Sequence, residues 1–218
     1  MWLPGFTDMG ARVNDNRYWA AVGLLLVLAG CVGAPSPTIA PDAGDDVVAV
    51  REIPPRARTL YEQAVAAQAA GDLVDAQLRF EAFVLEYPDY PGAHVNLAII
   101  HARNGDDQAA EGSLADALIL DPEYAPALNQ LGMLLRRQGK FDAAQDAYLK
   151  AVTADPGYAL AHYNLGVLNE LYLQRLDVAL QHFEVFQSLN GEDEQVGKWI
   201  VDLKRRLQEN QRTANRTE

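Results

Sequence analysis

Cysteine is nearly absent: the 218-residue chain has one, Cys31. That excludes an intramolecular disulfide framework and any zinc site built from several thiolates. Four histidines leave little material for a His-based metal centre. Basic charge is scarce as well. Eighteen Lys and Arg stand against thirty Asp and Glu, for a net charge of −12. No long basic stretch offsets this, which argues against duplex DNA or RNA as the main partner, because such binders need a basic footprint to neutralise phosphates. Phosphate-cradling glycine loops, H-E-x-x-H and G-x-S-x-G are missing, and so is the Asp/Asn alternation of a calcium loop. What is present is 49% apolar and 22% charged. That composition suffices for the core of one domain or of two small ones.

Arg12 and Arg17 precede an apolar run from Trp19 to Cys31, about twelve residues of it strongly apolar. A span of the bilayer core needs ~20. A basic lead, a short apolar core and small residues at its end describe a secretory signal over residues 1–30. Pro4 and Asp8 are unusual in such a segment. Translation from Met9 would keep both arginines. The run ends in Leu28, Ala29, Gly30 and Cys31, which resembles a bacterial lipobox. That resemblance implies lipidation of Cys31, cleavage just before it and a mature protein anchored through acyl chains, two or three of which hold stably. The alternatives are a chance cysteine after an ordinary signal, or a cytosolic protein with a greasy N-terminus. Val32, where an Asp would imply retention at the inner membrane, points by the family's rule to the outer membrane of a Gram-negative cell, facing the periplasm.

Residues 31–56 read as a lipidated cysteine followed by a tether. Pro35, Pro37, Pro41, Pro54 and Pro55 break helices, and Asp42, Asp45 and Asp46 keep the segment solvated.

The rest repeats. Aligned on itself at a period of 34, the chain gives blocks 57–90, 91–124, 125–158 and 159–192. Pro88, Pro122 and Pro156 recur near the block ends. Gly71, Gly105 and Gly139 recur at mid-block. Each block therefore reads as two helices of about fourteen residues, split by a glycine suited to a left-handed helix end and stopped by a proline. Leu128, Leu131 and Leu135 share one helical face, and Ala144, Tyr148 and Ala151 share the face of the following helix. Small residues recur where helices must approach: Ala64, Ala98, Gly132 and Gly166 on first helices, Ala76, Ala110 and Ala144 on second ones. A lone helical pair cannot bury such faces, but stacked pairs can.

This pattern resembles the tetratricopeptide repeat, whose period is 34. Leu128, Leu131, Gly132, Leu135, Gly139, Ala144, Tyr148, Ala151 and Pro156 match it almost throughout the third block. The first block departs at Gln63 and Phe83. The second places His94 and His101 in packing slots, too far apart along one helix to share a metal. The fourth carries an extra residue near Leu173–Arg175. The resemblance covers about 135 residues. It implies an all-α, right-handed solenoid of about four helix-turn-helix repeats. A capping helix is expected over 193–209, started by Asp193 and built on Val196, Ile200, Leu203 and Leu207, with a frayed tail over 210–218.

By the same resemblance, first helices line a concave groove. The row Val65, Ile99, Met133 and Val167 then forms an apolar strip. Tyr61, Val95, Asn129 and Tyr163 flank it, with Asn96, Gln130 and Asn164 offering amides to the backbone of an extended peptide. Arg103, Arg136 and Arg137 add positive charge. Burial against a neighbouring helix, or self-association, are the competing readings of the strip. Tyr61 and Val65 stand where binders of chaperone tails need Lys and Asn, so such a tail is not the expected ligand. The reading is an adaptor without a cofactor or metal, tethered to the envelope by its lipid. It would bind a peptide segment or helix of a pilus or secretin, outer-membrane assembly or TonB-type complex. A scaffold regulating peptidoglycan enzymes is the rival, and an enzyme comes last.

Overall fold

The computed structural model describes residues 53–217. The lipobox Leu28–Cys31 and the tether to residue 52 lie outside the described residues. Those described fold into helices and turns alone, as the repeat predicted. Four helical pairs follow in order: α1 (Pro55–Ala69) with α2 (Leu73–Glu86), α3 (Pro91–Arg103) with α4 (Asp107–Leu120), α5 (Ala125–Arg137) with α6 (Phe141–Ala154), and α7 (Ala159–Leu171) with α8 (Leu176–Asn190). A ninth helix, α9 (Glu194–Thr217), closes the array.

The turns follow from their residues. Gly71, Gly105 and Gly139 have φ of 82°, 81° and 76°, the left-handed region that a β-carbon disfavours. The fourth pair has no glycine there. Its extra residue lets Gln174 take φ 55°, the one non-glycine with positive φ among the described residues. Asp72, Asp106 and Asp193 cap α2, α4 and α9, accepting from the amides of Asp75, Ala109 and Val196 at 3.0, 2.9 and 2.9 Å. Proline in the first turn of α1, α3 and α5 needs no partner for a missing N–H.

Packing within a pair depends on small residues facing large rings. A β-carbon on Gly132 would stand 2.5 Å from the Tyr148 ring, and one on Gly166 would stand 2.6 Å from Phe183. Both glycines are therefore required by the rings over them. Phe83, which departs from the family's alanine, joins a cluster with Tyr61 (ring centroids 5.5 Å), Tyr87 (5.3 Å) and Tyr90 (5.6 Å). Gln63, the other departure, is exposed and accepts from Arg79 at 3.2 Å.

The capping helix is longer than its sequence predicted. Residues 210–217 continue α9 rather than fraying. Ion pairs Arg205–Glu209 (2.8 Å) and Arg205–Asp202 (2.7 Å) and the Thr213 hydroxyl bonded to the Glu209 carbonyl (2.8 Å) run along this polar stretch. Such i,i+3 and i,i+4 pairs each add a few tenths of a kcal/mol. The apolar half of α9 behaves as predicted: Val196, Ile200 and Leu203 are buried against Phe183 and Phe186 of α8.

Candidate binding groove

First helices lie side by side, α3 against α5 and α5 against α7, each also packed on its neighbours' second helices. Residues 34 apart thus occupy equal places on successive helices. The row Val65, Ile99, Met133 and Val167 tests whether those places are open. Val65 is 39% exposed. Ile99 and Met133 are half-buried. Val167 is 7% exposed and belongs to a core cluster with Tyr163, Phe183, Phe186 and Ile200. The physical reason is Trp199 of α9, whose ring lies 6.0 Å from Tyr163 and 5.4 Å from Phe183. Beside it, Arg206 of α9 pairs with Glu170 of α7 at 3.0 Å. The strip therefore spans three helices, α1, α3 and α5, and not four. Val167 and Tyr163 are corrected from groove to core.

The amides are corrected too. Asn96 donates to the Tyr61 hydroxyl at 2.8 Å and to the Gly92 carbonyl at 2.9 Å. Asn164 donates to the Asn129 carbonyl oxygen at 2.9 Å. Both cross-helix bonds link residues 35 apart, so they form one repeating inter-repeat bond. Asn129 is 1% and Asn164 5% exposed. These groups hold neighbouring helices together and do not offer a ladder to a peptide. At the position between them the equivalent pair is Val95 with Gln130. Val95 is buried in the α3–α4 core, and Gln130 is half-buried. Asn164, Asn129 and Val95 thus leave the groove.

The arginines divide. Arg137 donates to the Ala102 carbonyl at 2.8 Å and pairs with Asp107, tying α5 to α3 and α4. Its role is internal. Arg103 is exposed and Arg136 is half-buried. Neither guanidinium makes a hydrogen bond or an ion pair with the described residues. Arg136 lies close enough to Tyr163 and Tyr148 for its charge to oppose the rise that burial gives both phenols, Tyr148 being pushed up to about 12.

Sequence reasoning missed one polar pair. His162 on α7 and His182 on α8 face each other, Nδ1 to Nδ1 at 3.1 Å. Their separation of twenty residues carries no local spacing signal. Burial lowers both, His182 to about 4 with a further push from His162. Ring centroids 5.3 Å apart fit an almost head-on contact, with one Nδ1–H donating to the other ring's lone pair. His94 stays a packing residue, its Nε2 3.4 Å from the Pro88 carbonyl. No group of three or more metal-ligating side chains occurs among the described residues, and no helix among them is long and apolar enough to cross a membrane. Two depressions lie between paired helices, one around Leu128, Leu149 and Lys150 and one around Leu60, Leu78 and Ala82, apart from the strip.

The repeats decide the family. A tetratricopeptide-repeat family model matches residues 61–125 and 129–193, more than half of the chain. The chain belongs to the tetratricopeptide-repeat family. Among solved structures it is similar to PilF of Pseudomonas aeruginosa (TM-score 0.63, 22% identity, 70% of this chain and 69% of that one). It is likewise similar to TTC0263, a tetratricopeptide-repeat protein of Thermus thermophilus (TM-score 0.60, 22%, 67% and 80%). An O-GlcNAc transferase of Thermobaculum terrenum shares the fold over 26% of its own length (TM-score 0.55, 23% identity, 61% of this chain). At such identities the likeness is one of fold alone. No curated protein matches the chain. As a tetratricopeptide-repeat solenoid it is a protein-interaction scaffold.

Proposed function

We propose that this chain is an adaptor that holds a segment of another protein in the groove of α1, α3 and α5, while Cys31 tethers it to a bacterial envelope membrane. The observation that carries the groove is the row Val65, Ile99 and Met133. It stays partly exposed in a fold that buries the equivalent Val167 completely enough to join the core. Apolar side chains left accessible in register on adjacent helices are a docking feature. The sequence Leu28–Cys31 supports the tether, and a lipid-anchored scaffold suits a pilus or secretin, outer-membrane assembly or TonB-type complex. An apolar row favours this over a scaffold for peptidoglycan enzymes, which would need no such row. The test is Ile99→Asp with Met133→Lys. Partner capture from detergent-solubilised membranes is expected to be lost, with helicity unchanged. Capture by the double variant at the wild-type level would defeat the groove reading.

A further inference from the structure

The fourth pair carries two histidines that its packing does not require. His162 on α7 stands four residues before Gly166, and His182 on α8 stands one before Phe183, the ring that covers that glycine. In the third pair the same places, set by Gly132 and Tyr148, hold Leu128 and Ala147. Leucine and alanine thus fill this space without a polar group. Two imidazoles bring ring nitrogens into it instead. His162 is 9% exposed, and its Nε2 is buried without a hydrogen-bond partner among the described residues. Burying polar atoms so poorly satisfied is unfavourable unless they serve a ligand.

The arrangement has the features of a chelating pair. The two Nδ1 atoms are 3.1 Å apart. A metal ion held by imidazole nitrogens at ~2.0–2.1 Å spans that separation with an N–metal–N angle of ~100°, close to tetrahedral. The Pro156 carbonyl acts on the His162 ring, and in the second pair the equivalent contact runs from His94 Nε2 to the Pro88 carbonyl at 3.4 Å. A carbonyl on that side keeps the proton on Nε2 and leaves the Nδ1 lone pair free, which is how metal-ligating histidines are oriented. His182 is half-buried, so solvent reaches the pair from the side of α8. Burial keeps both rings neutral at neutral pH.

We propose that His162 and His182 form a two-histidine site for a divalent late transition-metal ion of the Zn²⁺ kind, which clamps α8 to α7. Neutral imidazole suits such ions and not Ca²⁺ or Mg²⁺, which take oxygen ligands. The rings point almost at each other, with centroids 5.3 Å apart. His182, the more exposed, therefore swings until its lone pair meets the ion beside the line between the nitrogens. Its proton passes from Nδ1 to Nε2 through solvent, so both rings stay neutral and no net proton is released. No third metal-ligating side chain joins them among the described residues, and water fills the remaining positions. Val196, Ile200 and Leu203 of α9 pack on Phe183 and Phe186 of α8, so the ion fastens the cap of the array as well. None of this depends on the groove.

The test uses the full chain, stripped of metal by a chelator and titrated with Zn²⁺ alone at pH 7.5. One ion is expected to bind. The melting temperature should rise by about 3–5 °C at a free Zn²⁺ concentration ten times the dissociation constant. Ring-nitrogen NMR signals of His162 and His182 should shift together at one equivalent, and those of His94 and His101 should not. His162→Leu with His182→Ala rebuilds the residues of the third pair, so this variant should fold, bind no Zn²⁺ and melt at one temperature with or without it. His94→Leu should bind as wild type does. A melting temperature that Zn²⁺ does not move, ring shifts confined to His94 or His101, or uptake that survives the double variant would overturn the site.

Discussion

Tyr148 lies across the α-carbon of Gly132 so closely that no β-carbon fits between them. The equivalent residues of the preceding pair are Leu114 and Ala98, one register of 34 earlier. The same gap is thus closed two ways, by a ring over glycine and by a leucine over alanine. Gly132→Ala is expected to destabilise by roughly 1–3 kcal/mol through overpacking. Adding Tyr148→Leu should restore part of that loss, because it rebuilds the pairing of the neighbouring repeat. Urea unfolding of the two variants checks this. A double variant less stable than Gly132→Ala alone would mean that the tyrosine contributes more elsewhere, although its hydroxyl is buried without a hydrogen-bond partner.

Asn164→Ala removes the donor to Asn129, whose carbonyl oxygen then sits in a nearly closed place. Leaving such a group unsatisfied costs about 1–3 kcal/mol. The expected outcome is a lower melting temperature with unchanged affinity for any groove ligand. A variant with normal stability and lost binding would return Asn164 to the groove.

The histidine pair makes stability depend on pH. Both folded-state values lie below the ordinary 6.5, that of His182 at about 4. Between those values the unfolded chain binds more protons than the folded one, so stability rises with pH there. It is fully present above 6.5 and is lost as pH falls toward about 4. His162 and the Pro156 carbonyl are the groups that act on these rings. Discounted for the partial exposure of His182, the loss is about 1–2 kcal/mol. His162→Leu takes the residue found at the same place in Leu60 and Leu128. Combined with His182→Gln, it should flatten the urea midpoint between pH 7 and pH 5. An equal fall in variant and wild type would place the pH dependence in the carboxylates.

Cys31→Ser tests the tether. Wild type is expected in the membrane fraction and labelled by a palmitate analogue. The variant should be unlabelled and released. Unchanged fractionation of the variant would remove the lipid from the account.

The first two helical pairs were legible because three local signals agree there: glycine at the turn, aspartate at the cap and proline after the second helix. The third keeps the glycine and the proline with Lys140 at the cap, and the fourth was legible from its register alone. The candidate site was legible only in part. A period of 34 says which residues share a face but not how far the next helix covers it. Val167 has the register of Val65, yet Trp199 of the capping helix seals it, and nothing in the repeat announces that tryptophan. The amides of Asn96, Asn129 and Asn164 sat on the predicted face, but their partners lie 35 residues away on the next helix, beyond any local pattern. The polar end of α9 reads as frayed by composition, and its i,i+4 pairs keep it helical.

The central claim is that the open face of α1, α3 and α5 is where a partner protein lies. A photo-crosslinking residue placed singly at Val65, Ile99, Met133 and, on the other side, Leu149 measures this most directly in the living cell. The account predicts one adduct of the same mass from the three groove positions, none from Leu149, and loss of the Met133 adduct when Ile99→Asp is added. An adduct from Leu149 alone, or groove adducts that survive Ile99→Asp, would contradict it.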